Sequence, residues 1–348
     1  MSPDRLDEPS VFIRVALPDA LGQPPFVLAV SGLSRTALDR WTAENARVYG
    51  FSFTAPATPD AGLSVRTRGG GSSRHPAVTA GVDQPVRMRA RRPVTLGCGP
   101  HRLTFTRDGP DDLDLAVAPD DDLDPPGRAL LDVWLQRSLA DRQIAVLHGV
   151  AFRIRSHRVL AVGGRRTGKS TIAAAAIAGG GSVVSDDWVL AGAASSGSVV
   201  VVPGRTELVF RAPTVAMLSN DLQPRLVPAP EAASARWSLD PTPTDSWCAN
   251  ALAPTSIWWV SIDRRLGVSR LHRITQADTL AALTRSTSAV WLSRFFQRER
   301  PRLLGLLRQI VVECPGFRVR LGRDLLARPA TSLDRLVLAA DAEGPRTP

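Results

Sequence analysis

The sequence is almost without lysine. Of its 43 lysine and arginine residues only Lys169 is lysine. Such a bias puts arginine wherever any cation suffices, so the surviving ammonium marks a place where a compact charge on a flexible stem is needed. Tyrosine is equally scarce, with one residue, although the chain carries a net charge of +10 and a pI near 11.0. A nucleic-acid groove interleaves basic with aromatic side chains. Here the arginines are scattered, dense only from Arg87 to Arg92, so a solvated basic surface is expected and no nucleic-acid partner. The three cysteines, Cys98, Cys248 and Cys314, are far apart and form no Cys-x-x-Cys pair. That spacing argues against a disulfide scaffold or a cysteine zinc site. No apolar run approaches the roughly 18 residues of a membrane span, and the acidic, proline-dotted start lacks the order of a secretion signal. These absences lead to the expectation of a soluble, cytoplasmic protein without a membrane partner. They leave its oligomeric state open, a homo-oligomer included.

What is present is concentrated around the lysine. Gly163-Gly164-Arg165-Arg166-Thr167-Gly168-Lys169-Ser170 has the Gly-x-x-x-x-Gly-Lys-Ser spacing of a phosphate-binding loop. An apolar run, Val159 to Val162, precedes it, and Thr171 to Ala178 has a helical composition closed by three glycines, Gly179 to Gly181. In such a loop successive backbone N–H groups face one concavity and the following helix adds its positive end. Residues 163 to 171, Thr171 included, are therefore the expected binders of a nucleoside triphosphate. Lys169 would reach the β- and γ-phosphates and the Ser170 hydroxyl would ligate Mg²⁺. Arg166 stands where glycine is common, and Arg165 and Arg166 have two open roles: phosphate contact, or plain solvation.

Phosphate chemistry also needs a carboxylate for the metal and, where a hydroxyl is the acceptor, a base. Asp186-Asp187 follow a short apolar stretch, Val183-Val184, one helix and one strand past Lys169. In an α/β sheet that is the strand end where ligands gather. His148-Gly149 is read at the junction of two strands, 146–147 and 150–154. From there His148 is either a satisfied core histidine or a third member of the same pocket.

Around this centre the chain divides into residues 1–125, β-rich with strands at 11–17 and 26–30, and residues 126–345, an α/β domain. A helix is expected over 36–48, a loop over 69–93, and an Asp-Gly hairpin joining 103–106 to 113–117. The acidic run Asp120 to Asp124 is read as a solvated helix cap. Leu131, Trp134, Leu135 and Leu139 mark a helix over 128–140. Further strands are expected at 199–202, 207–210, 257–262 and 317–321, with helices at 276–285, 291–312 and 332–340. Residues 221–246, rich in Pro, Ala and Ser, are read as an insertion or linker.

Leu147-His148-Gly149, then Gly-x4-Gly-Lys-Ser, then Ser185-Asp186-Asp187 resembles, in order and spacing, the catalytic domain of HPr kinase/phosphorylase and its relatives, which include kinases that tailor lasso peptides. The resemblance covers about Gly127 to Leu326, with weaker echoes at Arg273–Ala277 and Phe317–Leu321. It implies a P-loop kinase core akin to ATP-dependent phosphoenolpyruvate carboxykinase, using ATP and Mg²⁺. It implies Asp186 as base on a serine hydroxyl, Asp187 as a holder of Mg²⁺, and His148 close to the γ-phosphate. Glu207 is a candidate equivalent of the family's metal-binding glutamate, although its flanks do not match, and Arg211 is a candidate phosphate contact. The expected activity is serine phosphorylation of a peptide or small protein. Arg318 and Arg320, on one face of a strand with Arg323 just beyond, have two open readings: a solvated basic edge strand, or, together with the N-terminal segment, a grip on the acceptor peptide through its terminal carboxylate. Two rivals stand beside this reading. One is a signalling ATPase of the AAA or STAND type, whose second acidic motif would fall nearest Asp263; the other is a non-catalytic ATP-binding recognition module.

Overall fold

In the computed structural model of the chain the described residues are 125–205, 207–228, 236–239, 249–287 and 299–343, together with seven strands and one 3-10 turn, Asp19–Leu21, nearer the N-terminus. The expected helix over 36–48, the loop over 69–93 and the acidic run 120–124 lie outside them. The chain divides into two compact units, one of Met1–Leu17, Gln23–Ala46 and Phe51–Ser138 and one of Pro18–Gly22, Arg47–Gly50 and Leu139–Pro348, so that the helix Pro125–Asp141 belongs mostly to the first.

The first unit holds β1 (Val11–Ala16), β2 (Phe26–Ser31), β3 (Ser52–Thr54), β4 (Leu63–Arg66), β5 (Val94–Cys98), β6 (His101–Phe105) and β7 (Asp112–Asp114). They form one mixed sheet in the order β3-β1-β2-β4-β7-β6-β5. The expected pairing across 106–111 is present, with Leu103 opposite Leu113.

In the second unit β8 (Ala145–Ile154), β9 (His157–Val162), β10 (Ser182–Ala193), β11 (Val199–Pro203), β15 (Ser256–Ile262), β16 (Arg270–Ile274) and β17 (Gly316–Leu321) form a seven-stranded sheet. β12 (Leu208–Arg211), β13 (Val227–Pro228) and β14 (Arg236–Leu239) form a small one. The large sheet runs β11-β10-β8-β9-β15-β17-β16, parallel only where β15 pairs with β9 and β17. The alternation of side chains along a strand sorts its core into two faces. Phe152, Val159, Ala161, Trp258, Val260, Phe317 and Val319 pack with the helices Lys169–Ala178 and Pro329–Ala342. Ala151, Leu160, Val162 and Ile257 pack with Gln276–Ser286 and Arg300–Glu313. The helix Pro125–Asp141 buries Trp134, Leu135 and Leu139, as their spacing requires.

Three expectations need correction. The chain does not turn at Ser185-Asp186-Asp187. β10 runs unbroken from Ser182 to Ala193, helped by a bulge between Val183 and Ser185 that absorbs the irregularity. Ser and Asp favour turns, but here β8 pairs with the same residues and overrides that tendency. His148 likewise lies inside one continuous strand, β8, and not at a junction. The segment 221–246 is more than a linker: β13 and β14 belong to it, and β14 pairs with β12. The expected helix over 291–312, interrupted near Pro301, is described from Arg300 to Glu313, and 291–298 lie outside the described residues.

At the carboxyl end of β17, Asp324 ties three segments together. Its carboxylate accepts from the Ser269 N–H and hydroxyl, each at 2.7 Å, and from Arg335 at 2.6 Å. Burial alone would raise its pKa, but the hydrogen bonds from Ser269, Ser332 and Arg335 outweigh it and hold the carboxyl below its ordinary value. A depressed pKa contributes stability that is complete above the unfolded-state value near 3.9 and is lost as pH falls through the folded value. Asp324→Asn should therefore cost about 1–3 kcal/mol at neutral pH. It should also flatten the acid limb of a thermal-melting profile below about pH 4. An unchanged profile would show that Asp324 carries none of this coupling.

Candidate functional site

The loop between β9 and the helix Lys169–Ala178 is shaped by two glycines that tolerate no side chain. A Cβ on Gly163 would lie 2.7 Å from both Thr167 Oγ1 and the Val260 carbonyl. At Gly168, which has φ of 98°, a Cβ would meet Leu321 Cδ1 at 2.5 Å. Thr167 Oγ1 donates to the Gly164 carbonyl at 2.9 Å and closes the loop. Arg166 has φ of 62°, a left-handed conformation that glycine adopts without cost, which accounts physically for the expectation of glycine there. Arg165 and Arg166 are both exposed. Lys169 is 6% exposed and its ammonium donates to the carbonyls of Gly163, at 3.1 Å, and Gly164, at 2.8 Å. Burial lowers its pKa, against the pull of Asp186 and Asp187. Thr171 is half-buried, its hydroxyl 3.4 Å from that of Thr214.

β8 and β10 bring the remaining side chains to this loop. Their register sets Trp188 opposite His148, Asp187 opposite Gly149 and Asp186 opposite Val150. Gly149 is required by close approach, since a Cβ there would sit 2.9 Å from the Ala161 carbonyl. Regular alternation would send Asp186 and Asp187 to opposite faces. Asp187 instead has φ of 73°, and both carboxylates act on Lys169.

The two aspartates differ in environment. Asp186 is 4% exposed and accepts a hydrogen bond from the Ser170 hydroxyl. Burial, then the Asp187 charge, push its pKa up to about 6 against Ser170, Lys169 and His148. The Asp187 side chain is 51% exposed, with Oδ1 2.7 Å from His148 Nδ1 and Oδ2 3.9 Å from an Arg205 nitrogen. What burial it has would raise its pKa. The His148 hydrogen bond and the charges of His148, Arg205 and Lys169 outweigh that and hold it at about 2. With Nδ1 donated to Asp187, the other ring nitrogen of His148, Nε2, is buried and has no hydrogen-bond partner among the described residues.

His148, Lys169, Ser170, Asp186 and Asp187 are thus brought together, and sequence reasoning missed one neighbour. Arg205 reaches Asp187 because the β10–β11 hairpin pairs Val189 with Pro203, so two residues further on it falls level with Asp187. Its guanidinium lies 5.1 Å from the centre of the Trp188 ring, and its carbonyl accepts from the Ser185 hydroxyl at 2.8 Å. The signal was the hairpin itself, whose register depends on pairing that no local motif encodes. Glu207 is engaged instead by Ser238 on β14, and Arg211 is exposed on β12. Asp263 is held by Arg320. The Cys314 thiol donates to the Pro254 carbonyl at 3.1 Å, and burial pushes its pKa up to about 12, so it is no nucleophile. Among the described residues no three His, Cys, Asp or Glu side chains form a metal cluster, and no helix is long and apolar enough to cross a membrane.

No family model matches the chain, and no curated protein is similar to it. Among solved structures the Hpr(Ser) kinase/phosphatase from Coxiella burnetii is similar over 57% of this chain and 99% of that one, at a TM-score of 0.28 and 11% sequence identity.

Proposed function

We propose that the chain is an ATP-dependent kinase that transfers the γ-phosphoryl group to a hydroxyl, serine foremost, of a peptide or small protein. The observation that carries this reading is the meeting of a glycine-shaped loop and its buried lysine with a buried carboxylate bonded to Ser170. Burial raises the pKa of Asp186 to about 6, and a general base works best near the operating pH. The carbonyl-bound Lys169 ammonium is a donor that a phosphate would satisfy.

In this reading Lys169 exchanges the Gly163 and Gly164 carbonyls for phosphate oxygens, and the amino end of the helix Lys169–Ala178 faces the same charge. The Ser170 hydroxyl and the Asp187 carboxylate would hold Mg²⁺, which keeps much of its water and phosphate coordination and neutralises phosphate charge when bound. Asp186 takes the acceptor's proton as the new O–P bond forms and the bond to the ADP oxygen breaks. His148, oriented by Asp187 through Nδ1, directs Nε2 toward the transferred group. A second reading exchanges the aspartates, and the Ser170–Asp186 hydrogen bond favours it: Asp186 would then share the metal with Ser170, leaving the Asp187–His148 pair to act as base.

The test is transfer of label from Mg²⁺ and γ-labelled ATP to a serine-centred degenerate peptide library, with GTP and pyrophosphate as competing donors. Label should appear on peptide as acid-stable, alkali-labile phosphoserine. Free phosphate released at one rate with or without peptide would indicate a switch ATPase, and binding without turnover a recognition module.

A further inference from the structure

A second concentration of charge lies on the sheet face opposite the helix Lys169–Ala178. On β17 the residues Phe317, Val319 and Leu321 are buried toward that helix, so the exposed Arg318 and Arg320 project from the other face. The antiparallel register sets His272 opposite Arg318 and Arg270 opposite Arg320, and both β16 residues are exposed. On the other side Trp259 and Ser261 of β15 stand beside the same two arginines. The Arg318 guanidinium is 4.5 Å from the centre of the Trp259 ring, and Arg285 approaches that ring at 5.7 Å from the helix Gln276–Ser286. The carboxylate the structure pairs with this face is Asp263, bonded to Arg320.

Like charges directly opposite on neighbouring strands destabilise a sheet. Arg270 and Arg320 form such a pair, and their exposed side chains contribute nothing to the core that would offset it. Asp263 offsets the charge of Arg320, and further anionic groups would be accommodated beside Arg270 and Arg318. Alternate side chains of an extended strand are about 6.6 Å apart, the same step that separates Arg318 from Arg320, so an extended peptide can present carboxylates in register with them. Guanidinium forks hold carboxylates through paired hydrogen bonds. A single-stranded nucleic acid would need an open aromatic platform, and Trp259 is already covered by Arg318.

The face also reaches the site. Trp259 is level with Val162, the residue before Gly163, and Ser261 with Arg320 lies one pleat further toward the loop end. We infer that the exposed side chains of β16 and β17 on this face, Arg270, His272, Arg318 and Arg320, dock an acidic polypeptide segment and, resting on the kinase reading above, that this segment belongs to the acceptor.

The experiment measures fluorescence anisotropy of a labelled Glu-rich peptide with the full chain. A Gln-substituted peptide and a single-stranded oligonucleotide of matched charge serve as comparators. The Glu-rich peptide should bind, weaken with salt, and lose about tenfold in affinity in an Arg270→Glu, Arg318→Ala double variant, while Mg-ATP affinity stays constant. Lys169→Ala should leave peptide binding intact. With a serine placed in the acidic peptide, the double variant should raise KM and spare kcat. Equal binding of the Gln peptide, tighter binding of the oligonucleotide, or full binding by the double variant would overturn the docking surface. Arginine-dependent peptide binding without any phosphate transfer would uphold the surface and overturn the kinase reading.

Discussion

Lys169→Ala is expected to lower phosphoryl transfer by on the order of 10²- to 10³-fold, the scale for loss of one preorganised electrostatic group. The ammonium lies 2.8 Å from the Gly164 carbonyl and 3.1 Å from that of Gly163, already inside the loop that would receive the phosphates. No other lysine exists in the chain to replace it. Truncation leaves two carbonyls without that donor, a cost of about 1–3 kcal/mol, which a domain with so extensive a core can absorb. Mg-ATP affinity by calorimetry and turnover should fall together while the thermal transition persists. Ser170→Ala should weaken Mg-ATP binding or turnover in the same assays and free Asp186 of its hydrogen bond. Unchanged affinity and turnover in both variants would remove the phosphate-loop assignment.

The second large effect separates the aspartates. In the preferred reading Asp186→Asn keeps Mg-ATP binding and loses transfer by about 10²- to 10³-fold, because an amide accepts no proton. Asp187→Asn would raise the Mg²⁺ concentration needed for half-maximal rate and release His148 from its 2.7 Å partner. If the roles are exchanged the pattern inverts: Asp186→Asn shifts the Mg²⁺ requirement and Asp187→Asn abolishes transfer at saturating metal. Near wild-type transfer by both variants would exclude either carboxylate as base.

The difference in legibility between the two halves of the site is physical. The loop from Gly163 to Ser170 declares itself because glycine spacing and a following helix are local properties of a short segment. The apolar strands at 199–202, 257–262 and 317–321 were legible for the same reason. Ser185-Asp186-Asp187 was misread because turn propensity is also local, whereas its pairing with residues 149 to 151 is not. β16 went unread since Arg270, His272 and Arg273 give it no apolar alternation, and a longer-range register sets it beside β17. Arg205 and the arginine-rich face share that cause. Each is assembled by strand pairing, which a linear reading of charge cannot order.

The continuity of β10 has a consequence for how such a site can change over time. Its carboxylates are mounted on a strand hydrogen-bonded on both edges, to β8 and to β11. Asp186 and Asp187 are thus held in place by the sheet itself, opposite Val150 and Gly149 of β8. The exposed side chains of β16 and β17 carry no part of that alignment and contribute nothing to the core, so single replacements there leave the carboxylates in place. Under the kinase reading proposed above, mutation of that face would retarget the protein to a new acceptor while the carboxylates keep their alignment, separating what is modified from how the modification is made.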